Sequence, residues 1–142
     1  MLRVVVDVNV VVSALLTPGG TPHRLLERWL EGAFEVVASP MLMGELDRVL
    51  ARPEIRERSV PEVFDRFAGA LRADALLVDD PQVIPGVVER DAKDDYLVAL
   101  ARAAGAHAIV TGDRHLLDVD GLRPPALTPR AFLAWLDGLG QR

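Results

Sequence analysis

The 142-residue chain contains no cysteine and one lysine, Lys93. Without thiols there is neither a disulfide framework nor a thiolate metal site. Any bound metal must then be held by oxygen or imidazole, which favours Mg2+ or Mn2+ over zinc. Positive charge is scarce too: 21 acidic against 16 basic residues give a formal net charge of −5. That balance argues against holding nucleic acid by bulk electrostatics, although carboxylates gathered round a metal would account for part of it. Long apolar runs are also missing. The longest near the N-terminus, from Val4 to Leu16, is interrupted by Asp7 and Asn9 and has no basic leader followed by a cleavage site. Neither a signal peptide nor a membrane span is expected there, and a cytoplasmic protein is the default. Internal repeats and low-complexity tracts are absent.

Half of the residues are apolar, enough for a single domain over 1–142 with a sizeable core. Strand and helix signals alternate along it. Leu2 to Val6 is a β-branched run that reads as a strand buried on both faces. A short helix from Val10 to Leu16 ends at Thr17-Pro18-Gly19-Gly20, and Thr21 caps a helix from Pro22 to Glu31. Phe34 to Ala38 is a second strand, Ser39-Pro40 opens a helix reaching about Ala51, and Pro53 stops it. A helix over Pro61 to Ala73, a strand over Ala75 to Val78, a loop from Asp79 to Asp91 and a helix over Ala92 to Ala104 follow. The strand Ala108 to Val110, a short strand near Ala126-Leu127 and a helix over Pro129 to Leu136 complete the chain. Such alternation predicts a three-layer α/β/α sandwich around a parallel sheet of about five strands.

Four acids stand out against this background. Asp7 closes the first strand and Asp113 follows the fourth, so both belong to the carboxyl edge where open α/β sheets bind ligands. They meet there only if the two strands are neighbours. Glu45 falls on the same helical stripe as Leu42, Leu46, Val49 and Leu50. An inward glutamate requires a cation or hydrogen-bond donors, and the plain alternative is a salt bridge at the edge of the stripe. Asp94 lies one turn before Leu97 and Ala101, on the inward face of its helix; Asp95, rotated about a quarter turn away, reads as a solvated first-turn acid. Each acid alone has an ordinary explanation in a cap, a turn or a helix dipole. Four carboxylates in one place repel one another and are tolerable mainly around one or two divalent cations, which can direct a water at a phosphodiester.

Several ordered motifs, covering nearly the whole chain, resemble the PIN-domain family, in the branch that supplies toxins of toxin–antitoxin pairs. They are Val4-Val5-Val6-Asp7-Val8-Asn9-Val10 with Ser13; Ser39, Leu42 and Glu45; Asp91 to Leu97 with Ala99 and Ala101; Ile109-Val110-Thr111-Gly112-Asp113 with Leu116-Leu117; and Leu127 to Leu133. The resemblance implies an acidic pocket of Asp7, Glu45, Asp94 and Asp113 binding Mg2+ or Mn2+ and cleaving single-stranded RNA. Asn9 and Thr111 match supporting positions, and Ser13 is a weaker match. It also implies a homodimer and a small antitoxin covering the site. Ala92 stands where proline is frequent, and His115 replaces a more usual acid or lysine. His115 and Lys93 read otherwise as surface residues, each with a possible contact to substrate. Arg48, Arg52 and Arg56 read as a solvated basic face unless they line a substrate path. A receiver module, with a third-strand aspartate and a lysine near the C-terminal end, and a haloacid-dehalogenase-type phosphatase, with Asp-x-Asp, both fit less well. The non-enzyme alternative is a catalytically idle module that binds protein in a regulatory complex.

Overall fold

A computed structural model describes residues 1–82 and 92–140. Its centre is a five-stranded parallel sheet in the order β3-β2-β1-β4-β5, built from β1 (Arg3–Val6), β2 (Glu35–Ala38), β3 (Leu76–Leu77), β4 (Ala108–Val110) and β5 (Ala126–Leu127). Helices flank it, so the expected α/β sandwich is the observed architecture. β1 is central because its valines suit a strand covered on both faces: Val4 and Val5 are fully buried and Val6 nearly so. It pairs with β2 through Val4 and Val36, and with β4 through Val6 and Val110. The chain first adds β2 and β3 on one side of β1 and then crosses to the other side for β4. The crevice beyond the carboxyl ends of β1 and β4 is therefore the topological switch point of the sheet.

The helices differ from the sequence reading in instructive places. α1 (Val8–Leu16) starts two residues earlier than expected, because the Asp7 carboxylate caps it by accepting from the Asn9 amide. α2 (Thr21–Leu30) has Gly20 rather than Thr21 at its cap. α3 (Pro40–Leu50) is capped by Ser39 as expected, and Pro53 both follows its end and opens a short helix, α4 (Pro53–Arg58), anchored by the buried Ile55. Proline in a first turn loses no hydrogen bond, so the residue that stops one helix starts the next. α5 (Pro61–Asp74) and α6 (Ala92–Ala103) fall close to expectation. A single turn, α7 (Arg114–Leu117), was not expected; it is capped by Asp113. α8 (Pro129–Gly140) runs past Leu136, its inward side set by Phe132 and Leu136. Of the expected loop after β3, residues 83–91, including Asp91, lie outside the described residues.

The largest buried side chains include Phe34, Phe67 and Phe132. The Phe34 and Phe132 rings meet edge-on with centroids 4.9 Å apart, fastening α8 beside β2. α6 packs on β1 and β4, while α1 contacts α2, α3, α4 and α5. Arg48, Arg52 and Arg56 do not form one stripe, since α3 ends between the first two, and the Arg56 guanidinium lies 4.6 Å over the Phe64 ring. Among the described residues no helix is long and apolar enough to cross a membrane. Phe132→Ala is expected to lower the unfolding free energy by about 3–5 kcal/mol, the usual loss for an emptied aromatic site; urea denaturation of the two proteins checks this.

Candidate metal centre

The β1–β4 pairing brings Asp7 and Asp113 to one place, and Thr111 joins them. The Asp7 backbone amide donates to the Val110 carbonyl at 2.9 Å, which continues the ladder up to the acid. Thr111 Oγ1 donates to Asp7 Oδ2 at 2.9 Å and accepts from the Asp113 amide at 3.0 Å. Thr111 is fully buried and Asp7 is 2% exposed, so this hydroxyl is the fixed donor of a carboxylate that water scarcely reaches. The Asn9 contribution comes from its backbone amide, 3.2 Å from Asp7 Oδ1; its side chain is exposed. Asn9 and Ser13 sit one turn apart on α1 and, with Pro22 and Pro129, line a cleft of about 440 Å³ that Asp7 and Asp113 also border.

Asp94 approaches from α6 and is buried. Asp94, Asp113 and His115 offer ligand atoms that all lie within 4.8 Å of one another. His115 arrives there because Asp113 caps α7: the carboxylate accepts from the His115 amide at 2.9 Å, and the ring Nδ1 stands 3.6 Å from the same oxygen. Glu45 completes the acidic wall from α3, with its side chain 28% exposed. The Lys93 ammonium lies 3.0 Å from Glu45 Oε1 and 3.8 Å from Asp7 Oδ1. Burial works to lower the lysine's pKa, but its hydrogen bond to Glu45 and the charges of Asp7, Glu45 and Asp94 outweigh it and hold the pKa above the ordinary value. Asp7 and Asp113 thus border one cleft, Asp94 groups with Asp113 and His115, and Glu45 stands across Lys93 from Asp7. Among the described residues, the two carboxylates of Asp94 and Asp113 with the His115 imidazole form a set that could hold a divalent cation.

His115 and Lys93 keep 70% and 39% of their side chains accessible, as expected of surface groups, and both stand beside the acids. Helical periodicity could not place them, because one sits in an unexpected turn and the other reaches inward along a flexible stem. Asp95 departs from expectation: it is 5% exposed rather than solvated. The inward-face argument assumed one solvent side for α6, yet Asp94, Asp95, Tyr96, Leu97 and Val98 are all buried. Asp95 borders a depression shared with Pro81 and Gln82, which lie on the side of α6 expected to be solvated.

A polar network that runs from the buried Ser39 and Tyr96 to the exposed Asp80 fixes α3 against α6. Ser39, the cap of α3, accepts from the Leu42 amide at 3.3 Å and hydrogen-bonds the Tyr96 hydroxyl. Tyr96 donates to Asp80 Oδ1 at 2.6 Å, and the Met41 amide donates to the same oxygen at 3.0 Å. Tyr96 and Asp94 are two residues apart, so the helix start that leads to Glu45 is tied to the helix start that carries Asp94. The Tyr96 and Met41 hydrogen bonds hold the Asp80 pKa below its ordinary value. Burial, reinforced by the bond to Asp80, pushes the Tyr96 hydroxyl from 10.0 up to about 12.

The matches to known proteins agree with this geometry. A family model described as a PIN domain matches residues 3–115. The uncharacterized protein MJ1680 of Methanocaldococcus jannaschii is 26% identical over 146 residues, spanning 93% of this chain and 90% of that protein. The crystal structure of PAE2754 from Pyrobaculum aerophilum superposes with a TM-score of 0.63 at 19% identity, covering 96% of this chain and 90% of that one. At that identity the likeness speaks to the fold.

Two outcomes are expected from these hydrogen bonds. Thr111→Val removes the donor to a buried carboxylate oxygen without changing side-chain shape, and should cost about 1–3 kcal/mol of stability in urea titration at neutral pH. For Tyr96, a pKa raised on folding contributes stability that is intact below the unfolded value and is lost as pH climbs from 10.0 towards about 12. Tyr96→Phe should flatten that decline in unfolding midpoint; since the chain has one tyrosine, tyrosinate absorbance reports the same titration directly.

Proposed function

Since the chain belongs to the PIN-domain family, we propose that it is an Mg2+- or Mn2+-dependent endoribonuclease that hydrolyses single-stranded RNA. The observation that carries this reading is the convergence at one sheet edge of Asp94 and Asp113, ligand atoms within 4.8 Å, with Asp7 bridged to Asp113 through Thr111. Glu45 is linked to Asp7 through the Lys93 ammonium. In this reading Asp7, Glu45, Asp94 and Asp113 hold the metal. When bound, the divalent ion supplies Lewis acidity towards the scissile phosphate and a water activated for attack.

The chain's own residues supply position. Thr111 and the Asn9 amide hold Asp7 in a single orientation, and the rigid β1–β4 ladder sets its spacing from Asp113. Asp94 stands on a helix packed against the same two strands. The cleft that Asp7 and Asp113 border is lined also by Asn9, Ser13, Pro22 and Pro129, and in this reading it receives the unpaired strand. The excess negative charge of the chain leaves phosphate neutralisation to the metal site rather than to a basic surface. Resemblance to the toxin branch supports the biological setting: a cytoplasmic type II toxin, homodimeric, silenced by a small cognate antitoxin over the acidic cleft.

Cleavage of an unstructured RNA by purified protein should require Mg2+ or Mn2+, stop with EDTA, and be lost in Asp94→Asn while the circular-dichroism spectrum is unchanged. Asp95→Asn should retain most activity, since Asp94 and not Asp95 joins Asp113 and His115. Full activity in Asp94→Asn overturns the assignment, and equal EDTA-resistant cleavage by both proteins identifies a contaminant.

A further inference from the structure

The placement of Lys93 is not explained by helix stability. It lies in the first turn of α6, where the helix dipole disfavours a cation. Its side chain is 39% exposed, so the stem could extend into water. The ammonium instead turns inward, 3.0 Å from Glu45 and 3.8 Å from Asp7, on the wall of carboxylates to which Asp94 also belongs. We infer that Lys93 is a built-in counter-ion of the acidic site, competing with the divalent cation for Asp7 and Glu45, so that metal loading exchanges a tethered lysine for the ion. The inference rests on the reading that these acids hold the metal.

The physics of such an exchange is simple. Without a cation, clustered carboxylates repel one another, and a lysine fixed to the neighbouring helix neutralises part of that charge at a high effective concentration. A divalent ion brings twice the charge and binds through shorter contacts, so an ion held by Asp7 and Glu45 takes the carboxylate oxygen atoms that the ammonium occupies and repels it. Lys93 must then leave Asp7 and Glu45, and the exposure of its stem gives it somewhere to go. The lysine therefore stabilises the protein without metal and weakens its hold on metal. A side chain with a merely structural role would not have those two effects in opposite directions.

The test is calorimetric titration of Mn2+ into EDTA-stripped wild type, Lys93→Met, Lys93→Gln and Lys93→Arg, with thermal unfolding of each protein before metal is added. Both neutral variants should bind Mn2+ about three- to fivefold more tightly, the size expected for an ion pair still partly open to water, and should unfold at lower temperature without metal. Lys93→Arg should stay near wild type in both readouts. Equal or weaker Mn2+ binding by the neutral variants overturns the exchange. Asp94→Asn, run alongside, separates the two levels: if it binds Mn2+ as wild type does, or if wild type binds none, the acids are not the metal site and the inference falls with that reading.

Discussion

Mutual repulsion among carboxylates is the constraint to which this fold answers. Asp7, Glu45, Asp94 and Asp113 come from four separate segments, linked by Thr111 between Asp7 and Asp113, by the approach of Asp94 to Asp113, and by Lys93 between Asp7 and Glu45. A flexible chain would let them drift apart. Here a central strand with no exposed valine, a hydroxyl locked between two of the acids, and a helix packed on both strands leave them little freedom. The energy that holds them together comes from the apolar core, which is spread along the whole chain, rather than from the site itself.

Two kinds of polar contact surround the acids, and they do different work. Thr111 and the Asn9 amide are neutral donors in fixed positions: they orient Asp7 without altering the net charge of the crevice. Lys93 is a charged donor on a long stem, and it alters the charge while fixing little. A neutral shell in fixed positions beside a cation on a flexible stem is what the proposed exchange of lysine for metal requires. The Ser39–Tyr96–Asp80 network adds the remaining constraint, tying the beginnings of α3 and α6 together away from the acids.

Helix caps recur as the device that turns sequence into site. Asp7 caps α1 and Asp113 caps α7, so each acid is held by the helix that follows it as well as by the strand before it. The same capping explains why α1 starts earlier than its apolar pattern suggests and why an unexpected turn carries His115 to the acids. Ser39 repeats the arrangement at α3, and its hydroxyl is shared with Tyr96. A short polar residue at a strand end thus serves folding and geometry together.

Local chemistry made much of this legible from the sequence. The valine run from Val4 to Val6 marked a buried strand, the alternation of elements marked a parallel sheet, and the positions of Asp7 and Asp113 after their strands marked the edge of the sheet where the two acids meet. The stripe through Leu42, Leu46 and Leu50 placed Glu45 on the inward side of α3. These properties depend on residues within a turn or two of one another, and periodicity encodes them. What lies across the sheet was decided only by tertiary structure. The adjacency of β1 and β4, the burial of Asp95, the hydrogen bond between Ser39 and Tyr96 and the inward turn of Lys93 all depend on segments distant in sequence. Such contacts are set by which faces remain to be covered once the helices have packed, and no single segment carries that information.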